Sequence, residues 1–244
     1  MSPLLFNVVS LLIGLIFGLV IAWILECWVD FFLKKITLDN FNRVTKKNTS
    51  NNSTFFDRIQ IYTVISIIIA FFFVWRKWHP ELLSDIILFS ALFGVAWIDK
   101  KTLLIEGRII TLAMILRLLW LSYFEDYKIY TAVVALILGA GILYLVSFFY
   151  ETFRHRQGLG EGDAAVLGLI GMWVGWQKLG LVLLIAGISG ILIGGLSLIR
   201  QRSANQKIVD ILQKKIPFAP FLCAGGLIVY ILQETGFLGS INEF

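Results

Sequence analysis

Cysteine is scarce in this sequence. There are two, Cys27 and Cys223, both in apolar runs and far apart along the chain. No CxxC pair exists, which removes a zinc knuckle and a disulfide framework from consideration. Charge is scarce as well: 15% of the 244 residues are charged against 58% hydrophobic, with a mean hydropathy of +0.84. A soluble domain of this length needs more polar surface, so the composition reads as an integral membrane protein. Ten-residue segments of alternating hydrophobicity are missing too, and with them the signature of a β-barrel. Lipid offers the backbone no hydrogen-bond partners, which leaves one membrane-embedded α-helical domain over residues 1–244. No internal repeat is apparent.

What the sequence does contain is a series of apolar stretches, at roughly 4–33, 59–75, 82–98, 109–123, 129–150, 164–176, 179–199 and 218–235. The expected fold is therefore all-α and polytopic, with about eight transmembrane helices. Several stretches fall short of the ~20 residues of a perpendicular span, 164–176 most clearly. The first is not expected to be a signal peptide, because it lacks a basic start and a small-residue cleavage site. With eight spans, loops 34–58, 99–108, 151–162 and 200–215 share one side and carry sixteen Lys or Arg, against four in the other loops and tails. That bias puts the first set in the cytoplasm and both termini outside it. The net charge of +5 is thereby accounted for by orientation, and no nucleic-acid partner is expected. Residues 34–58 form the one sizeable polar segment, Asn-rich and expected to be flexible. The segment "RQRSANQKIVDILQKKIP" reads as a short amphipathic helix on the membrane surface.

Ionisable residues inside or at the rim of spans are the places to look for chemistry, since each costs ~2.5–3.5 kcal/mol at the bilayer centre. Glu26 and Asp30 lie one helical turn apart at the inner end of the first span, as solvated rim residues do. Asp85 and Arg117 fall in the outer halves of adjacent spans, where a structural ion pair is the plain reading. Asp99 ends the third span and Asp163 begins the sixth, in "GLGEGDAAVLG". Both then lie at the cytoplasmic rim and can face each other. Two such carboxylates can share one proton, the ionised partner activating water while the protonated one polarises a carbonyl. Two rim aspartates in an eight-span protein are more often helix caps or solvated ends.

Gly158, Gly160 and Gly162 free the backbone before Asp163 and allow another chain to approach closely. Asp163 is then expected as an N-cap, its carboxylate receiving helix N–H groups and the favourable end of the dipole.

Together, Asp99 at a span end, Gly160-Glu161-Gly162-Asp163, and "IPFAPFLCAGG" before the last span resemble the type IV prepilin peptidases, membrane aspartyl proteases of the GxGD class. The resemblance runs from about residue 82 to 235. It implies that Asp99 and Asp163 are the catalytic pair. Pro217, Phe218, Pro220, Phe221, Leu222 and Gly225 match the family's P-F-x-P-F-L-x-x-G segment, where prolines without N–H donors are tolerated beside a water-filled site. Gly160, Gly162, Pro217, Phe218 and Pro220 are the expected supporting residues. The implied activity is cleavage of the short basic leader of prepilin-like precursors, at the cytoplasmic face of a bacterial inner membrane. The implied partners are those precursors and the lipid bilayer, and no metal or other cofactor is expected. Three family features are absent: the cytoplasmic loop has no cysteine, Ile105, Glu106 and Gly107 stand where the segment after the first aspartate usually ends in I-P-D or similar, and Ala22 to Glu26 stand where many members continue G-S-F-L-N-V. That region is associated with S-adenosylmethionine-dependent N-methylation, so methyl transfer is not expected. The alternatives are a non-catalytic accessory of a pilus or secretion machine, and an ion-coupled transporter using intramembrane carboxylates.

The charge bias yields a direct test. In a chain with Cys27 and Cys223 replaced, cysteines introduced at Ser50 or Ser53 resist a membrane-impermeant thiol reagent in intact cells. Labelling from outside would reverse the orientation.

Overall fold

The computed structural model describes residues 3–39, 51–76, 79–154, 160–202 and 217–237. The described residues form eight α-helices and no strand. They are α1 (Pro3–Asp39), α2 (Asn51–Arg76), α3 (Glu81–Thr102), α4 (Gly107–Phe124), α5 (Ile129–Arg154), α6 (Glu161–Val174), α7 (Leu179–Arg202) and α8 (Ala219–Glu234), with 3-10 turns before α5 and α7. Five helical stretches are long and apolar enough to cross a membrane: Phe6–Phe31, Glu81–Lys100, Gly107–Phe124, Asp126–Phe153 and Trp176–Ile193. Three more are apolar but shorter, Tyr62–Val74, Gly162–Val174 and Ala219–Glu234. Each apolar stretch of the sequence thus falls on a helix. The helices outrun them, because a helix need not stop where its apolar character does. Residues 34–39 complete α1 and 51–58 open α2, which shortens the expected polar loop. The remainder of that loop, 40–50, and the expected amphipathic helix near the last span lie outside the described residues.

Two compact units make up the chain, Met1–Ile86 and Ile87–Phe244. In the first, α1 and α2 run antiparallel and touch through small residues. A Cβ on Gly14 would lie 2.6 Å from the Ala70 Cα, and one on Gly18 would lie 2.4 Å from the Ser66 Cα. Between membrane helices no hydrophobic force distinguishes protein from lipid, so such close approach is what gains dispersion energy. Glu26 is not simply a solvated rim residue. Its carboxylate accepts a hydrogen bond from the Tyr62 hydroxyl across the pair.

In the second unit the shortest helix is the most enclosed. Val166, Leu167 and Leu169 of α6 are fully buried, and α6 packs against α4, α5, α7 and α8. Its sequence is apolar all round because it has protein on all sides. Glycines again set the spacing. A Cβ on Gly171 would stand 2.6 Å from the Ala135 carbonyl oxygen of α5, and one on Gly139 2.8 Å from that of Leu167. A Cβ on Gly225 of α8 would meet the Val182 carbonyl of α7 at 2.9 Å. Near the far end of α6, the Arg117 guanidinium lies 5.1 Å from the Trp120 ring and 4.8 Å from that of Trp173, a desolvated cation–π arrangement.

These contacts separate glycines that pack from those that do not. Gly171→Ala forces backbone apart and destabilises by about 1–3 kcal/mol. Gly141→Ala, with nothing within 4 Å of the new Cβ, is neutral or gains up to ~1 kcal/mol of helix propensity. Thermal unfolding in detergent distinguishes the two.

Candidate active site

The first aspartate is set by the end of α3. Ile98 is fully buried and Asp99 keeps 5% of its surface exposed. The helix then closes on Leu103, whose N–H donates to the Asp99 carbonyl at 2.8 Å and whose φ is +56°. A left-handed residue is the usual device for ending a helix, but glycine normally supplies it. Thr102 holds the turn: its hydroxyl donates to the Ile98 carbonyl at 2.9 Å and accepts from the Leu104 N–H at 3.2 Å. Leu104, Ile105 and Glu106 then lead into α4.

The second aspartate is set by the start of α6. Its N-cap is Gly160, in extended backbone with φ −73° and ψ 138°. Asp163 is therefore not the N-cap that its sequence position suggested but the third residue inside the helix. From there its carboxylate reaches back to accept the Gly160 N–H, while its own N–H donates to the Gly160 carbonyl at 3.0 Å. This is one half of a capping box, with an acidic side chain at N3 satisfying the N-cap donor. The dipole still favours negative charge there.

The glycines also act differently from expectation. Neither Gly160 nor Gly162 has a positive φ. Gly162 is required for room: a Cβ there would come within 2.5 Å of the Ile105 Cβ, on the linker that follows Asp99. At Gly160 a Cβ would meet only the Asp163 Oδ2, at an ordinary 3.5 Å. Gly158 lies outside the described residues.

A third helix completes the site. α8 begins at Ala219 with Pro220 in its first turn, and Phe218 is its N-cap. First-turn N–H groups have no intrahelical acceptor, and Pro220 has none to offer. The Ala219 N–H, fully buried, goes to the Asp99 carboxylate. The proline segment thus spends a donor on the first aspartate. Pro217 and Phe218 are half-buried in the approach to that turn.

The structure accordingly brings Asp99, Asp163, Gly160, Gly162 and the start of α8 together. Both carboxylates are nine-tenths buried and within Coulombic range of one another. The Asp99 Oδ2 has no hydrogen-bond partner among the described residues. A buried, unmatched carboxylate oxygen beside a second carboxylate is the geometry that holds a shared proton or orients a water. Two neighbours were not read as site residues from the sequence. Cys223, 3% exposed, sits one turn along α8 from Ala219 and within electrostatic range of both aspartates. Its i, i+4 spacing from Ala219 was the available signal. Glu106 is 7% exposed in the linker after Asp99, and no periodicity marks it. Among the described residues no three His, Cys, Asp or Glu side chains form a metal-ligand group.

Fold and site define a helical membrane protein with two apposed carboxylates where three helix ends converge. Residues 86–195, which include both aspartates, match the model of the type IV leader peptidase family. Curated relatives are similar to this chain. The prepilin leader peptidase/N-methyltransferase of Escherichia coli K12 is 29% identical over 154 residues, 63% of each chain. That of Dickeya chrysanthemi is 29% identical over 175 residues, 69% of this chain and 58% of its own. That of Burkholderia pseudomallei strain 1026b is 29% identical over 142 residues, 56% and 42%. The matched region thus spans between about two fifths and just under two thirds of these relatives' lengths. No solved structure shows a significant match. The resemblance to this family is borne out by the family model over residues 86–195, which hold Asp99 and the GEGD run but not the proline segment, and by these relatives.

The left-handed helix end at Leu103 can be probed by itself. Its side chain is 46% exposed, so little packing is at stake. Leu103→Gly relieves the steric cost of left-handed backbone, ~1–2 kcal/mol, against a chain-entropy loss of ~0.5–1 kcal/mol, and leaves stability equal or higher. Leu103→Val lowers the unfolding temperature. Equal unfolding temperatures for the two variants would contradict the assignment.

Proposed function

We propose that this chain is an intramembrane aspartyl endopeptidase that removes the leader of type IV prepilin-like precursors at the cytoplasmic face of the bacterial inner membrane. The observation that carries the reading is the buried Asp99–Asp163 pair, inside the segment matching the type IV leader peptidase family. The positive-inside charge bias supports the cytoplasmic face, since a basic leader retained there meets carboxylates on the same side.

The chemistry follows from the donors. Like charges this close do not both ionise, so the pair carries one proton. The ionised carboxylate takes a proton from water as the oxygen adds to the scissile carbonyl, and the protonated one donates to the carbonyl oxygen. Collapse breaks the C–N bond and returns a proton to the leaving amine. The Gly160 N–H holds the Asp163 carboxylate and the Ala219 N–H that of Asp99, so neither rotates away. The dipole argument for placing the proton on one partner weakens here. Asp99 ends α3, which disfavours charge, but it also faces the start of α8, which favours it. What separates the two is the Asp99 Oδ2, the oxygen without a donor, and we assign the shared proton to it. The N-terminal stretch associated with methylation is absent, so the product leaves with a free α-amino group.

Cleavage of a prepilin-like peptide in detergent tests the pair. Asp99→Asn and Asp163→Asn each reduce turnover by at least ~10³-fold, the scale of losing a general acid–base partner plus its positioning. Gly162→Ala loses most activity because Ile105 must move, whereas Gly160→Ala keeps it. Near-normal turnover by either Asn variant removes the aspartyl mechanism.

A further inference from the structure

Glu106 is a carboxylate that neither the catalytic pair nor the fold uses. It lies in the linker between α3 and α4, beyond the last residues of the candidate span Glu81–Lys100. Its neighbour Ile105 is the residue pressed against Gly162, one position before Asp163. The Glu106 side chain keeps 9% of its surface exposed. Burying a carboxylate costs several kcal/mol unless it is matched. Among the described residues its one partner is the Arg108 Nε, 3.6 Å from Oε1, beyond hydrogen-bond distance and on a side chain 61% exposed. A helix-capping role does not account for the burial. Glu106 occupies the N-cap position of α4 and makes no side-chain cap hydrogen bond.

A recessed acceptor with a loose, solvent-exposed cation at its mouth is a binding position whose occupant can be exchanged. We propose that Glu106 is a specificity residue that takes a lysine or arginine side chain of the extended substrate, with Arg108 as the resident stand-in it displaces. The assignment rests on the peptidase reading and deepens it. The linker ties Glu106 to both halves of the site, through the last turn of α3 that carries Asp99 and through the Ile105–Gly162 contact. A cation held at Glu106 therefore fixes the register of the substrate backbone across the pair. Lys100 and Arg108 are exposed, so their repulsion of an incoming cation is screened by solvent. The Glu106 attraction acts from a side chain that is 9% exposed and is screened less. Specificity then comes from a difference: a neutral substrate side chain offers Glu106 nothing better than its loose contact with Arg108.

The test separates binding from cleavage. A fluorescent prepilin-like peptide with a basic leader, and its counterpart with each Lys and Arg replaced by norleucine, are titrated onto the full chain carrying Asp99→Asn, which binds without cutting. The basic peptide binds more tightly. Adding Glu106→Gln weakens it by about ten-fold, the worth of a hydrogen bond to a charged group, and leaves the neutral peptide unchanged. Arg108→Ala strengthens the basic peptide alone, because the recess is no longer occupied. Glu106→Asp falls between Glu and Gln. In the cleavage arm, with both aspartates intact, Glu106→Gln raises KM for the basic peptide and not kcat. An unchanged preference for the basic peptide in Glu106→Gln overturns the assignment, whatever the cleavage arm shows. Absence of Asp99-dependent cleavage of either peptide by the wild-type chain overturns the peptidase reading, while the binding arm still decides Glu106.

Discussion

Two carboxylates that repel each other are kept side by side, away from bulk water, and the rest of the second unit can be understood as what makes this possible. Main-chain N–H groups do the holding. The start of α6 supplies one through Gly160 and the start of α8 another through Ala219. Helix starts are the natural source, since their first-turn donors have no internal acceptor and lipid offers none. Three helix ends must then converge within a few ångströms. Packing that tight brings backbone close to backbone at Gly171, Gly139 and Gly225, while Gly162 leaves room for the Ile105 side chain. The proposed dyad and the glycine-rich packing are thus consequences of one electrostatic problem.

The sequence made the helices legible because an apolar stretch in lipid has one solution. It also marked Asp99 and Asp163, since an aspartate at the border of an apolar stretch is conspicuous in a chain with so few charges. Local geometry was less accessible. Asp163 looked like a cap because it follows glycines, but the helix starts three residues earlier and the aspartate reaches back. A residue at N-cap and one at N3 both precede an apolar run, and only backbone dihedrals distinguish them. For Gly162 the sequence offered dihedral freedom and close approach alike, and the structure shows the close approach, a matter of where Ile105 lies rather than of neighbours in sequence.

Apart from the pairing of the two aspartates, contacts between distant segments were not legible. Nothing in "GLIFGLV" says that Gly14 and Gly18 meet Ala70 and Ser66, or that Glu26 is reached by the Tyr62 hydroxyl. The burial of Glu106 was hidden for a related reason. The sequence marks it only as part of a departure from the family's I-P-D, and its 7% exposure is what makes it unusual. The contact of its neighbour Ile105 with Gly162 of α6 is one that no local pattern encodes.

The length of α6 has one further consequence. Its 14 residues rise about 21 Å, roughly 9 Å short of the ~30 Å hydrocarbon thickness. A helix this short leaves the level of at least one end below the surrounding lipid headgroups. If the shortfall falls at the Asp163 end, water arrives through an indentation lined by protein, and the bilayer around that end is thinned.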